Sequence, residues 1–402
     1  MTSNQSAVYD TPTTLEEATA ILDEAPLARV SVPTGGDVWM VLSHELARQL
    51  LADPRVGREP LVSREDIPYK ARFPEYLTRT LLFKDDPEHA RLRRSVGKWF
   101  APRQIRALQA EIEVECERLL DEIEQRGPDF DLVEEYAVPV PIFALTRVLG
   151  ADRTMAADFL RWNQVLFGTG ASLGAAEVAA VEAECVAYLR AEIARKRGAD
   201  GDDLLSALAN VPEGEGALTD DEMISIAMLI LVAGFDNTAN FIGNGALALL
   251  RHPAQLSYFL DDIDGRVIPV VEELLRHGRQ SVGSGVRNIG MPFVALEDIV
   301  VGDITIREDE IVLINRNAAN HDDSVFERPL ELDLRREDNP HLTLSYGVHS
   351  CLGAPLARLE LQVSLAALFR RFPALRVVGE PVSQMDTMSE AIEHLPVTSV
   401  AE

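Results

Sequence analysis

Between Thr219 and Pro253 lies a segment that has to be helical and has to be buried. Thr219-Asp-Asp-Glu222 is a capping box, in which the Thr and Glu side chains satisfy each other's free N–H groups. Pro253 marks the stop. A helix running to about Arg251 would be roughly 45 Å long, enough to cross a whole domain. Residues 223–232 are apolar nearly all round, so protein must cover every side. The longest strongly apolar run, 226–234, is far short of the roughly 20 residues that span a bilayer. The helix is expected as the central rod of a globular fold, with no membrane anchor.

Other helices should surround it. Thr14-Leu-Glu-Glu17 is a second capping box. Residues 105–126, 155–167 and 175–197 carry helical patterns, and Gly198 suits a C-terminal cap. A loop with Gly168, Gly170 and Gly174 parts the last two, and 198–216 is acidic and loop-like at both ends. Residues 29–32 and 38–42 flank Gly35-Gly36 as a hairpin. Shorter strand signals fall at 286–289, 299–301 and 311–314. A last helix follows Cys351 and ends at Arg370-Arg371, basic side chains that complement the helix dipole. The fold class is mainly α with small β-sheets (α+β). The chain has 402 residues, 47% of them hydrophobic, without linker or repeat, and reads as a single domain over 1–402.

A net charge of −27 argues against nucleic acid and anionic membranes as partners. Three cysteines without regular spacing give no disulfide framework and fit a reducing compartment. Cys116 and Cys185 lie on helical patterns and read as small buried apolar residues. The start, Met1-Thr-Ser-Asn-Gln-Ser, has neither the basic nor the apolar region of a signal peptide, so a cytoplasmic location is expected.

Cys351 is different because of its frame, His341-Leu-Thr-Leu-Ser-Tyr-Gly347-Val-His349-Ser-Cys351-Leu-Gly353-Ala-Pro355-Leu-Ala-Arg358. Gly347 and Gly353 permit a tight backbone path, and Pro355 fits the first turn of a helix. The thiol would face free N–H groups and the positive end of that helix, both of which favour thiolate. A fixed thiolate on an open loop suits an axial ligand to heme iron.

The segment resembles the heme-binding loop of the cytochrome P450 family, with Cys351 in the place of the iron ligand. The resemblance implies a helical prism, with heme b between the long central helix and the cysteine-loop helix. His89 and Arg93, four apart on one helix face, would clasp the heme propionates with Arg287 and His349. Glu273, Arg276 and Arg336 would form a structural network that holds the cysteine loop. Ala233-Gly234-Phe235-Asp236-Asn237-Thr238 resembles the kinked oxygen-activation segment, where Ala233 and Gly234 would give room beside iron and Asp236 would steer protons. A helix–helix close contact at Gly234 is the alternative.

The chain departs from the family at two places. The usual threonine falls on Asn237, with Thr238 one position late. An amide has no hydroxyl to relay a proton, so either Asn237 orders a proton-delivering water or the substrate supplies the hydroxyl. Leu344 and Ser345 stand where Phe and Gly are usual, and Ser350 precedes the cysteine, so the aromatic shield over the sulfur is missing.

The activity implied is a heme-thiolate monooxygenase that hydroxylates or epoxidises a small-to-medium organic substrate in bacterial secondary metabolism, including antibiotic biosynthesis. Electrons would come from NAD(P)H through a separate reductase and a ferredoxin. The ferredoxin would dock on the basic cluster Arg91, Arg93, Arg94 and Lys98 of a monomer. Leu82, Leu166, Phe167, Leu229, Phe235, Val282, Ser284 and Ile392 are candidate pocket residues. One rival keeps the heme but catalyses oxidative cyclisation, coupling or rearrangement without net oxygen insertion. Another is a non-enzymatic heme sensor or scaffold. The propionate set argues against a third, a heme-free interaction protein.

Overall fold

The computed structural model describes residues 8–12, 14–32, 36–64, 75–167, 174–212, 216–278, 291–384 and 391–400. The rod is present as helix Asp220–Arg251, opened by the Thr219/Glu222 capping box. By length and apolar character alone this helix could cross a bilayer, which the unbroken-run criterion missed. Within the fold, 67% of that apolar stretch is buried. Against it pack helices Pro139–Leu149, Ala156–Phe167, Ala175–Lys196, Ile263–His277 and Ala354–Arg371. Ile226, Met228 and Ile242 are buried in the main core, each contributing about 1.5–3 kcal/mol.

Local signals hold at both capping boxes and at Gly198, which follows helix Ala175–Lys196 at φ 70°. Two expectations change. Residues 105–126 are two helices, Pro102–Ala107 and Gln109–Arg126, parted at Leu108. The acidic 198–216 stretch contains a short helix, Leu204–Ala209, because Asp203 caps it and Leu204, Leu205 and Leu208 are buried.

The hairpin forms as antiparallel strands Leu27–Ser31 and Asp37–Val41. It belongs to a mixed six-stranded sheet that continues through Ile311–Ile314 and Phe293–Ala295 to an edge strand, Val56–Gly57. On that edge Gly57 pairs antiparallel with Val294. Residues 299–301 form one arm of a separate hairpin. Two apolar clusters cover the faces of the large sheet, apart from the helical core. Residues 286–289 lie outside the described residues.

Candidate functional site

The cysteine loop is held from both ends before it enters helix Ala354–Arg371. Its Cys351 N–H donates to the Leu344 carbonyl at 2.9 Å. Gly347 sits at φ 69°, and a Cβ there would come 2.1 Å from the Leu51 carbonyl, so only glycine fits. Asn320 receives the Leu342 N–H at 2.7 Å and donates to Thr343, whose hydroxyl donates to the Leu275 carbonyl. Cys351 is left open, exposed into a hollow of about 410 Å³. Phe100, Leu344 and Ser345 also line it. Burial pushes the thiol up, while the Gly353 N–H and then Arg93, Arg316 and Arg358 pull it toward thiolate.

On the long helix, Ala233 and Asn237 are exposed and Leu229 is half-buried in the middle of an otherwise covered rod. Their spacing of four puts them on one open stripe. Helical backbone continues unbroken through 233–238. Asn237 Nδ2 donates to the Ala233 carbonyl at 3.2 Å, which leaves Oδ1 as an acceptor on the open side. Thr238 and Phe235 are buried instead. The Thr238 hydroxyl donates to the Gly234 carbonyl at 3.2 Å. Gly234 is a close-contact glycine, since a Cβ would lie 2.7 Å from Leu145 Cδ2. Room on the open side therefore comes from Ala233 and not from Gly234. Asp236 is half-buried.

His89, His349 and Arg93 cluster beside the loop. The His89 and His349 rings lie 4.5 Å apart, and Arg93 donates to the Ser350 hydroxyl at 3.1 Å. Burial holds both histidines and Arg93 below their usual ranges. His89 Nε2 is buried with no hydrogen-bond partner. Such an orphan is expensive unless a ligand pairs with it. The donors suit carboxylates, and the open stripe with the exposed sulfur suits a flat iron macrocycle, so these residues fit heme.

Glu273, Arg276 and Arg336 meet in one buried network. Arg276 grips Glu273 through two bonds of 2.8 and 2.7 Å, both side chains fully buried. Arg336 and Asn339 each add a bond of 3.1 Å to Glu273. The remaining Arg276 donors reach the carbonyls of Asn320, Pro329 and Glu331. Glu273 and Arg276 are both fully paired, the condition under which a buried charge pair stabilises rather than weakens, while Asn339 Oδ1 is left buried without a partner. Next to it, Glu272 accepts from Arg358 and pairs with His341, tying the loop to helix Ile263–His277.

The basic cluster divides. Arg91 is ion-paired with Glu88 and Glu222, and Arg93 turns to the cysteine loop. Arg94 and Lys98 are exposed, with Arg103 and Arg106. Of the pocket candidates, Leu82 and Leu229 are half-buried, and Leu166 and Ile392 join Phe235 in the core. Arg287, Val282 and Ser284 lie outside the described residues, as does the Phe167 side chain. Glu360 was not legible in the sequence. It is buried beneath the long helix, and burial pushes it up to about 8 against the Thr238 hydroxyl.

Comparison with known proteins agrees with this geometry. The cytochrome P450 family model matches residues 270–392. Cytochrome P450 107B1 of Saccharopolyspora erythraea is 34% identical over 94% of this chain and 93% of its own. Mycinamicin IV hydroxylase/epoxidase of Micromonospora griseorubida is 35% identical over 90% of this chain and 88% of its own. The solved structure of the LnmA cytochrome P450 hydroxylase from the leinamycin pathway of Streptomyces atroolivaceus superposes with a TM-score of 0.87 at 34% identity, covering 98% of each chain. With the cysteine loop and the helical fold, these similarities establish that the chain belongs to the cytochrome P450 family and is a monooxygenase of it.

Proposed function

We propose that this monooxygenase hydroxylates or epoxidises a small-to-medium organic substrate of bacterial secondary metabolism, with electrons from a separate ferredoxin and its NAD(P)H-dependent reductase. One observation carries the reading: Cys351 is open at the mouth of a helix that packs against the long helix, whose only mid-length exposed positions among residues 223–239 are Ala233 and Asn237. Relatives named as hydroxylases and as a hydroxylase/epoxidase support the reaction class.

Cys351 Sγ would ligate the iron, and His89, Arg93, His349 and Arg287 would take the propionates of heme b. Bound there, a thiolate-ligated heme supplies the activation of dioxygen. Asn237 holds a water at Oδ1, the one acceptor it keeps free of the helix. Asp236, one residue before it, passes protons to that water. Leu82 and Leu229 flank the substrate. Arg94 and Lys98 attract an acidic ferredoxin to a monomeric, cytoplasmic protein.

A second reading, oxidation without net oxygen insertion, is favoured by Asn237 standing where a hydroxyl is usual. Turnover with ferredoxin and reductase under labelled dioxygen separates the two. Label in the product supports insertion, and an oxidised product without label supports the second reading. Asn237→Thr should change the coupling of reductant use to product. Unchanged coupling would remove Asn237 from proton delivery.

A further inference from the structure

The geometry points to Arg58 as a heme-propionate ligand, placed across the sheet edge from Phe293. This rests on the heme-binding reading above.

Arg58 follows the edge strand Val56–Gly57. The register Val56↔Ala295 and Gly57↔Val294 puts Arg58 opposite Phe293 at the next step. Its guanidinium carbon lies 4.2 Å from the Phe293 ring centroid, a cation–π distance. Phe293 in turn is 6.2 Å from the ring of His349, two residues before Cys351, and His349 is 4.5 Å from His89. One continuous row of side chains thus runs from Arg58 to His89. At each end is a buried nitrogen without a partner, Arg58 Nε and His89 Nε2. Heme carries two propionates.

Arg58 is only 4% exposed, yet among the described residues it forms no salt bridge. A buried guanidinium left in that state costs several kcal/mol. Asp85 does not neutralise it directly. Its carboxylate accepts the backbone N–H groups of Arg58 and Glu59 at 2.9 and 3.0 Å and faces His349 at 3.8 Å. Gly57 makes room for that arrangement, since a Cβ there would lie 2.5 Å from Asp85 Oδ2. Burial first, then the positive charge of Arg316, pushes Arg58 down to about 9 against the attraction of Asp85. The pocket is short of an anion. A carboxylate on a flexible arm is the chemistry that a planar guanidinium fork accepts best.

The test is the rate at which ferric holoprotein loses heme to excess apomyoglobin. Arg58→Met should lose heme about ten- to a hundredfold faster, the range for a broken hydrogen bond to a charged group. The carbon monoxide spectrum of the retained fraction should keep its thiolate signature. Arg58→Met/Phe293→Arg should restore slow loss by moving the cation across the ladder. With heme dimethyl ester, which lacks the charges, unmodified protein and Arg58→Met should lose porphyrin at the same rate. If Arg58→Met does not fold, Arg58→Lys keeps a charge without the fork and should lose heme several-fold faster. Heme loss at the unmodified rate in either single variant would overturn the assignment. Unmodified protein that binds no heme would instead overturn the heme reading itself, a separate failure.

Discussion

Ser345 offers a quantitative test of how the cysteine loop is built. It sits at φ 63°, in the left-handed region, where the family usually has glycine. Its hydroxyl oxygen is also buried without a partner. The left-handed conformation costs an L-residue about 1.5–2 kcal/mol. The unpaired hydroxyl costs about 1 kcal/mol as well. Ser345→Ala removes only the second cost. Ser345→Gly removes both, so its gain is about 2 kcal/mol once the greater chain entropy of glycine is allowed for. Unfolding entropy is about 2.1 cal/mol/K per residue, and the chain has 402 residues. The midpoint should therefore rise by about 1 °C for Ser345→Ala and about 2–3 °C for Ser345→Gly. Thermal scans of ferric holoprotein, followed by heme absorbance and far-UV circular dichroism together, measure both. If Ser345→Gly is no more stable than Ser345→Ala, the backbone carries no strain there. If Ser345→Ala is less stable than the parent, the hydroxyl has a partner and the reasoning fails.

Arg276→Leu should destabilise by about 3–5 kcal/mol, because Glu273 is left charged and fully buried; heme-containing yield and denaturant midpoint report it, and a loss below 1 kcal/mol would contradict the network's role. Arg94→Glu with Lys98→Glu should slow reduction by ferredoxin at low salt, with the difference shrinking as salt rises. Arg91→Glu should instead lower stability, since Arg91 is already paired with Glu88 and Glu222. Burial alone would raise the Glu272 carboxyl, but His341 and Arg358 outweigh it and hold it at about 2. Its folded value is thus depressed, so the stability it contributes is present above its ordinary range near 4.5 and lost as pH falls toward 2. Heme release on acidification should track that window and lose part of its pH dependence in Glu272→Gln.

Local chemistry was legible in the sequence and non-local pairing was not. Thr14 and Thr219 announce their helices because a capping box is complete within four residues. The cysteine loop is equally local, since its glycines and proline fix the path to the helix. The role of Gly234 could not be chosen from the sequence, because it depends on Leu145 in another helix. Arg91 looked like a docking residue until the fold brought Glu222 against it. Arg58 and Phe293 are far apart in the chain, and only strand register makes them neighbours. Ser345 was visible as a departure, but its cost needed the backbone angle.

The absorption spectrum of the dithionite-reduced, carbon monoxide-bound protein addresses the central claim most directly. Thiolate from Cys351 opposite carbon monoxide should move the main heme band to the long-wavelength position that distinguishes sulfur ligation from imidazole. Cys351→His should return the band to the shorter wavelength while heme stays bound. Protein purified without heme, or a long-wavelength band that survives Cys351→His, would contradict the account.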